Sequence, residues 1–130
     1  MAAKELIVAA QTAMKNAYAP YSNFQVGAAV LTDKGNIYSG CNVENAAYPI
    51  GHCAEASAIS AMISGGESTV VAIAVAGKGD ALCTPCGGCR QRIREFAAED
   101  ASVLICDENH LRHETTIGDL LPLSFGPENL

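Results

Sequence analysis

The sequence predicts an α/β protein, a three-layer α/β/α sandwich built around a mixed sheet of roughly five strands. Segments with helical spacing of apolar residues alternate with short β-type runs in the order αββαβαβ. The run 70–76 is almost wholly apolar, which is typical of a central strand covered on both faces. The length of 130 residues fits one domain, predicted to span residues 1–130.

The first half of the chain carries a predicted helix and a β-hairpin. Apolar residues recur at helical spacing from Lys4 to Ala17, and Pro20 ends this run. Residues 24–31 and 37–41 are predicted strands, and the Asp-Lys-Gly-Asn segment at 33–36 is the turn between them.

The second half alternates helices with strands. The predicted elements are a helix at 53–64, a strand at 70–76, a helix at 89–98, a strand at 102–106 and a short helical turn at 117–121. Gly65 and Gly66 end the first of these helices. Residues 110–116 are ambiguous, with a short edge strand as one interpretation.

Composition and charge limit the kinds of partner. The formal net charge of −6 argues against nucleic acid, because binding to phosphates relies on Lys and Arg. A small, uncharged substrate is easier to reconcile with this charge. The start of the chain, Met1 to Leu6, shows no signal-peptide pattern, and no apolar run approaches the roughly 18 residues of a membrane span. With six cysteines in such a chain, we expect a reducing, cytoplasmic setting without membrane partners.

A split set of cysteines carries the strongest chemical signal. Cys53 lies upstream, and Cys86 and Cys89 follow in a Pro-Cys-Gly-Gly-Cys segment. Both segments are placed where a loop enters a predicted helix, and the partial positive charge of a helix N-terminus favours thiolate over thiol. Three protein ligands rather than four are typical of a catalytic zinc ion with an open position. The pattern therefore predicts one Zn²⁺ per chain.

A carboxylate stands next to this cysteine set. Glu55 follows Cys53 by two residues, in the first turn of the same predicted helix. Zinc lowers the pKa of bound water from about 15.7 to about 7. Glu55 is placed to receive the proton of that water and to pass it to a substrate, which is general acid–base catalysis.

Several motifs along the chain point to one family. Cys-x-Glu followed by Pro-Cys-x-x-Cys is the pattern of zinc deaminases. The further motifs are Phe-Gln-Val-Gly-Ala-Ala at 24–29, Gly-Cys-Asn-Val-Glu-Asn-Ala-Ala-Tyr at 40–48, Pro-Cys-Gly-Gly-Cys-Arg-Gln at 85–91 and Leu-Leu-Pro at 120–122. In their order and in their span of almost the whole chain, these motifs resemble the short, homotetrameric cytidine deaminases.

The resemblance implies a cytidine-deaminase-like fold and the hydrolytic deamination of cytidine and 2′-deoxycytidine to the uridines, with release of ammonia, as in pyrimidine salvage. Carried over position by position, Cys53, Cys86 and Cys89 would bind the zinc ion. A zinc-bound hydroxide would attack C4 of the base, and Glu55 would move protons between the water, N3 and the leaving amine.

The resemblance also implies the substrate contacts. Phe24 would pack against the pyrimidine, Asn42 and Glu44 would hold the ribose hydroxyls, and the backbone around Ala54 would contact the polar edge of the base. The side-chain types of Asn42 and Glu44 agree with this assignment, because an amide and a carboxylate are suitable hydrogen-bond partners for sugar hydroxyls.

Two aromatic residues are assigned to subunit contacts by the resemblance. Tyr48 and Phe125 would complete sites that more than one chain builds, as in the homotetrameric family. We therefore expect a homo-oligomer, a tetramer, that acts on a small-molecule nucleoside.

The chain departs from the family pattern at one place. The family usually has Arg directly after the catalytic Glu, where it donates to the zinc-bound thiolates, but here that residue is Ala56. The missing positive charge could be supplied by Arg90 together with the helix N-termini, or by a protonated His52.

Other interpretations of these residues remain at this stage. The cysteines could form a closed structural zinc site with His52, Cys41 or Cys83 as a fourth ligand, as in a zinc-stabilised binding module. Cys86 and Cys89 could form a redox pair. The same chemistry could also act on a modified nucleoside or a blasticidin-type substrate, or on nucleic acid, although the acidic charge argues against the last.

Overall fold

A five-stranded sheet organises the chain in the computed structural model, which describes residues 3–130. Its strands are β1 (Val26–Thr32), β2 (Ile37–Cys41), β3 (Val70–Gly77), β4 (Ala97–Cys106) and β5 (Leu111–Thr116). The spatial order is β2-β1-β3-β4-β5, in which β3 and β4 are parallel and the other neighbours are antiparallel. The predicted mixed sheet is confirmed. Met1 and Ala2, which belong to the predicted 1–130 domain and to the segment without a signal-peptide pattern, lie outside the described residues.

Helices cover both faces of this sheet. They are α1 (Ala3–Met14), α2 (Ala54–Ser64), α3 (Gly87–Phe96) and α4 (Ile117–Leu120), with short 3₁₀ turns at Tyr48–Ile50 and Pro127–Asn129. One buried cluster joins α1 to the sheet, and a second joins α2, α3 and α4 to the opposite face. The three-layer sandwich is therefore confirmed. Within residues 3–130, each helix is too short or too polar to cross a lipid bilayer.

The two cores follow from the alternation of side chains along the strands. In β3, Ala72 and Ala74 belong to the α1 side, whereas Ile73 and Val75 belong to the α2 side, and all four are fully buried. Successive side chains of a strand point to opposite faces, so a strand covered on both sides must be apolar at every position. This explains why the prediction of a central strand at 70–76 was correct.

Several helix boundaries differ from the prediction, and hydrogen bonds explain the shifts at the start of the third helix and at the end of the first. The third helix begins at Gly87 rather than at Cys89, because Cys86 has the extended N-cap conformation and its carbonyl accepts the Arg90 N–H at 2.9 Å. The first helix ends at Met14 rather than at Ala17, because the next residues form tighter i→i−3 hydrogen bonds. Such bonds are common at helix ends and leave the apolar spacing almost unchanged.

The second half of the chain contains more β-structure than predicted. The fourth strand begins at Ala97 rather than at Ser102, directly after the last residue of α3. Residues 111–116, which lay in the ambiguous segment, pair with β4 as the edge strand β5. The sequence of β5 shows no apolar period, because its first four residues are exposed and its last two are only half-buried, so neither face of the strand enters the core.

The register of the sheet places two loops at the same edge. Cys41 at the end of β2 pairs with Gly27, and Gly77 at the end of β3 pairs with Val26. Because β1 runs antiparallel to both neighbours, the ends of β2 and β3 lie together beside the start of β1. The loops that lead into α2 and α3 leave from these ends, and they bring the N-termini of both helices to this edge of the sheet.

A glycine in β2 allows α2 to approach the sheet, and its replacement should destabilise the fold. A Cβ at Gly40 would lie 2.5 Å from the Ala58 nitrogen and 2.6 Å from the Ser57 Cβ. We expect Gly40→Ala to lower the free energy of unfolding by about 1–3 kcal/mol, because helix backbone must move. Denaturant titration followed by circular dichroism measures this loss. Ser39→Ala, on the exposed side of the same strand, is the control, and equal stability of the two variants would contradict the close approach.

A buried carboxylate ties the hairpin to the end of α2 and should make stability depend on pH. Glu67 is 8% exposed and accepts hydrogen bonds from Asn36 Nδ2 and the Tyr38 hydroxyl, each at 2.8 Å. The Thr32 hydroxyl, followed by these two donors, holds the pKa of Glu67 below its usual range. A lowered folded-state pKa gives stability that is present above the unfolded pKa of about 4.3 and is lost as the pH falls through the folded-state pKa.

Glu67→Gln should therefore have a lower Tm than the natural chain at pH 7, and the difference should shrink as the pH falls below about 4.3. Thermal unfolding at a series of pH values measures the difference. Glu108→Gln, at an exposed loop position, is the control for loss of one negative charge. A difference in Tm that is constant from pH 7 to pH 3 would show that the ionised form of Glu67 is not what stabilises the hairpin.

Candidate metal centre and active site

Two helix N-termini bring the three predicted cysteines together. Cys53 is the N-cap residue of α2, Cys86 is the N-cap residue of α3, and Cys89 lies in the first turn of α3. Their Sγ atoms all lie within 4.8 Å of one another. Cys86 and Cys89 share a helix face because they are three residues apart, and the register of the sheet brings Cys53 to them from the other helix.

The donor set fits a zinc ion with an open position. A tetrahedral site with Zn–S bonds of about 2.3 Å places its sulfur atoms about 3.8 Å apart, which the three thiols reach with small adjustments. Within residues 3–130, this metal-ligand group contains no fourth His, Cys, Asp or Glu, so His52, Cys41 and Cys83 do not belong to it. The three cysteines are thus positioned to hold zinc, and a closed four-ligand site does not form from these candidates.

The thiols have contrasting electrostatic surroundings. The backbone N–H of Cys89 is the main cause that lowers the pKa of Cys86, in line with the predicted effect of a helix N-terminus. Burial, followed by the neighbouring Glu55 and Cys53, raises the pKa of Cys89. Several acidic groups in one enclosed place oppose one another's ionisation. A cation is needed if all three sulfur atoms are to be thiolates.

The cation that contacts a sulfur atom of this group is Arg92, whereas the sequence had suggested Arg90 or His52. Arg92 Nη1 donates to Cys89 Sγ at 3.4 Å, and this contact raises the pKa of Arg92. Arg90 instead donates to the carbonyl oxygens of Pro85 at 2.7 Å and Leu120 at 2.9 Å. The His52 side chain is exposed. Sequence reasoning missed Arg92, although its position one helical turn after Cys89 was a usable signal.

Glu55 lies beside the thiols in a buried position. It is the second residue of α2 and is only 5% exposed. Burial raises the pKa of Glu55, while its own backbone N–H and the Cys89 side chain partly offset this effect. A carboxyl group with a raised pKa takes up a proton more readily at neutral pH than an exposed one, as general acid–base catalysis requires.

A cavity of about 310 Å³ lies along the chain segment that leads to Cys53. It is lined by Tyr21, Ser22, Glu44, Asn45, Tyr48 and Gly51. The rings of Tyr21 and Tyr48 meet edge to face, with centroids 5.7 Å apart. Among the predicted substrate contacts, Glu44 and Tyr48 therefore share this cavity.

The Glu44 carboxylate is held in a fixed orientation. Its Oε1 accepts the backbone N–H groups of Tyr21 at 2.9 Å and Ser22 at 3.2 Å, and its Oε2 accepts the Ser22 hydroxyl. The Ser22 hydroxyl is the main cause that lowers the pKa of Glu44. The carboxylate therefore stays ionised and acts as an acceptor. Sequence reasoning missed Tyr21 and Ser22, because no local pattern links residues more than 20 positions apart in the chain.

The other predicted contacts do not line this cavity. Asn42 accepts the Val26 N–H at 2.9 Å and donates to the Phe24 carbonyl at 2.9 Å, so it fixes the start of β1. The Phe24 ring is 43% exposed and lies close to Gly77. Ala54 is 1% exposed and packs into the core, which leaves its backbone at the first position of α2 for any contact with a ligand.

Phe125 stands apart from these residues within the same chain. Its carbonyl accepts Gln91 Nε2 at 2.8 Å, and Arg94 holds the rest of the tail by contacts with Ser124 at 2.8 Å and with Glu128. The Phe125 side chain is 58% exposed and does not line the cavity that contains Glu44. The C-terminal tail is therefore fixed on α3 with an aromatic ring directed outward.

Comparisons with known proteins agree with this arrangement. Residues 1–105 match the family model of the cytidine and deoxycytidylate deaminase zinc-binding region. A cytidine deaminase from Sporosarcina psychrophila is 41% identical over 130 residues, which cover 100% of this chain and 96% of the relative. A cytidine deaminase from Halalkalibacterium halodurans is 41% identical over 125 residues, covering 96% of this chain and 95% of the relative.

Solved structures give the same result. The crystal structure of cytidine deaminase from Burkholderia pseudomallei superposes with a TM-score of 0.90 and 42% identity, covering 96% of this chain and 100% of that one. Cytidine deaminase from Mycobacterium tuberculosis superposes with a TM-score of 0.85 and 36% identity, covering 97% and 98%. Because the matched region includes both cysteine segments, the chain belongs to the cytidine and deoxycytidylate deaminase family.

Proposed function

We propose that this protein is a zinc-dependent cytidine deaminase that converts cytidine and 2′-deoxycytidine to uridine and 2′-deoxyuridine, with release of ammonia, in pyrimidine salvage. The observation that carries the proposal is the open group of three cysteines with the buried Glu55 beside it. The relatives of similar length that are named cytidine deaminases support the choice of substrate.

Cys53, Cys86 and Cys89 would hold the zinc ion. A zinc ion held there would act as a Lewis acid that lowers the pKa of water, so that the water can ionise near neutral pH. Glu55 takes the proton released by the attacking water and delivers it to N3 of the base. It then takes up the second proton of that water and transfers it to the amine at C4, which leaves as ammonia. The raised pKa of Glu55 suits a group that must both accept and donate a proton.

The remaining residues position the nucleoside in this proposal. Glu44 offers carboxylate oxygens to the ribose hydroxyls, and its contacts with Ser22 keep it ionised and oriented. Asn42 adds its second amide hydrogen, since the first is donated to the Phe24 carbonyl. The exposed face of Phe24 packs against the pyrimidine, and the N–H of Ala54 at the helix N-terminus donates to the polar edge of the base.

We infer further that the active form is a homotetramer. Tyr48 is 72% exposed and Phe125 is 58% exposed, which is unusual for large aromatic side chains on ordered segments. Since Phe125 lies outside the cavity of its own chain, it would complete the site of a neighbouring copy. Residues 1–130 would serve as one catalytic domain. Because the site needs reduced thiols, the enzyme would work in a reducing compartment, the cytoplasm.

Glu55→Gln tests the proposed chemistry. The variant should keep its fold and its zinc, but it should lose at least about 100-fold in kcat, because glutamine cannot carry a proton. Loss of ultraviolet absorbance by cytidine measures turnover, and metal analysis measures zinc. Glu108→Gln, on an exposed loop, is the control. If the natural chain released neither uridine nor ammonia from cytidine at neutral pH, the proposed function would be wrong.

Mixed oligomers test whether Phe125 completes the site of another chain. Glu55→Gln and Phe125→Ala should each be weakly active alone, but co-expressed chains should form hybrid sites with both natural residues. Random assembly gives such sites at about a quarter of positions, so activity should recover to that fraction of the natural enzyme. An equal mixture of separately purified variants, before subunit exchange, is the control. Equal activity of the two samples would place Phe125 outside any shared site.

A further inference from the structure

We propose that Arg92 is the positioning residue that neutralises the zinc-ligand thiolates, so that α3 supplies the charge compensation for this site. The inference rests on the proposed zinc site, but it concerns a residue with no assigned role in that function. It also accounts for the presence of the small, uncharged Ala56 directly after Glu55.

The need for a cation follows from the charges of the site. Three thiolates and one Zn²⁺ leave one surplus negative charge, and Glu55 adds a second when it is ionised. Cys86 is exposed and Cys53 is half-buried, but Cys89 is fully buried and Glu55 is 5% exposed, so water screens the charges of these last two groups poorly. The donor set therefore requires a positive group close to the sulfur atoms.

Arg92 is placed to supply this charge. Its Nη1 lies 3.4 Å from Cys89 Sγ, within hydrogen-bond distance for sulfur. It follows Cys89 by three residues on α3, so the two side chains lie on the same face of the helix. The Sγ atoms of Cys53 and Cys86 lie within 4.8 Å of Cys89 Sγ, so the guanidinium is close to the whole donor set.

The neighbouring cations have other partners. Arg90 donates to the carbonyl oxygens of Pro85 and Leu120. Arg94 contacts Ser124 and Glu128 in the C-terminal tail. Among the hydrogen bonds within the described part of the chain, the contact from Arg92 is the one between an arginine and a ligand sulfur.

Ala56 and Arg92 share a cavity between α2 and α3, with a volume of about 700 Å³. The titratable groups along it are His52, Arg92 and Glu95. Because the Ala56 side chain is a single methyl group, it leaves space in this cavity that the long side chain of Arg92 can use. A cation introduced at position 56 would enter the same cavity, so the two positions should be interchangeable as sources of positive charge.

The physical effect is that of a hydrogen bond to a metal ligand. A charged N–H donor on Cys89 Sγ offsets the surplus negative charge of the donor set and would keep a bound zinc ion electron-poor. Removal of the donor should therefore weaken zinc binding and slow the chemical step. It should affect KM little, because Arg92 does not line the cavity that contains Glu44.

The test compares zinc affinity among four variants, measured by competition with a chromophoric chelator. Arg92→Gln should bind Zn²⁺ about 10–100-fold more weakly than the natural chain and should lower kcat for cytidine with little change in KM. Arg92→Lys should retain more affinity than Arg92→Gln, because it keeps the charge. The double variant Ala56→Arg/Arg92→Gln should recover affinity. Glu95→Gln, in the same cavity, should bind zinc as the natural chain does.

Either of two results would overturn the inference. The first is a zinc affinity of Arg92→Gln within twofold of that of the natural chain. The second is a loss of zinc affinity in Glu95→Gln as large as the loss in Arg92→Gln. Circular dichroism checks the folding of every variant. If Arg92→Gln folds only together with Ala56→Arg, the folded double variant decides, because a zinc affinity about 10–100-fold below that of the natural chain would show that a cation at position 56 does not replace Arg92. Failure of the proposed function can be told apart from failure of this inference. If only the proposed function is wrong, the zinc affinity still depends on Arg92, but the protein does not deaminate cytidine.

Discussion

The convergence of two helix N-termini on one point is the constraint on which the rest of the structure depends. The thiols of Cys53, Cys86 and Cys89 can hold one metal only if α2 and α3 begin at the same edge of the sheet. The register of β1 with β2 and β3 provides this, because it places the ends of both strands beside the start of β1. Gly40 then allows α2 to lie directly on the strand beneath it.

The same convergence creates an electrostatic problem. Partial positive charges at the helix ends favour thiolates, but burial and the nearby Glu55 oppose them, as the raised pKa of Cys89 shows. In our proposal Arg92 resolves this conflict from within α3. The positive charge that the family resemblance led us to expect directly after Glu55 is then supplied by Arg92, whose Nη1 lies 3.4 Å from Cys89 Sγ.

The side chains assigned to the nucleoside are held by backbone groups that lie far away in the sequence. Glu44 is fixed by the N–H groups of Tyr21 and Ser22, and Asn42 is fixed by the start of β1. Such contacts orient a binding group before the ligand arrives and reduce the entropy lost on binding. The price is that part of the hydrogen-bonding capacity of each side chain is already used.

By itself the sequence determined the order of most elements, the apolar central strand, the three cysteines that are positioned to hold a metal and the carboxylate beside them, because helical spacing, strand composition and short motifs are local properties. It left β5 ambiguous, since no residue of this edge strand is buried and its sequence therefore has little apolar pattern. Only the tertiary structure decided that Arg92, and not Arg90 or His52, contacts Cys89, and that Ser22 holds Glu44. These contacts depend on how helices and loops from distant parts of the chain are packed, and no short motif encodes that packing.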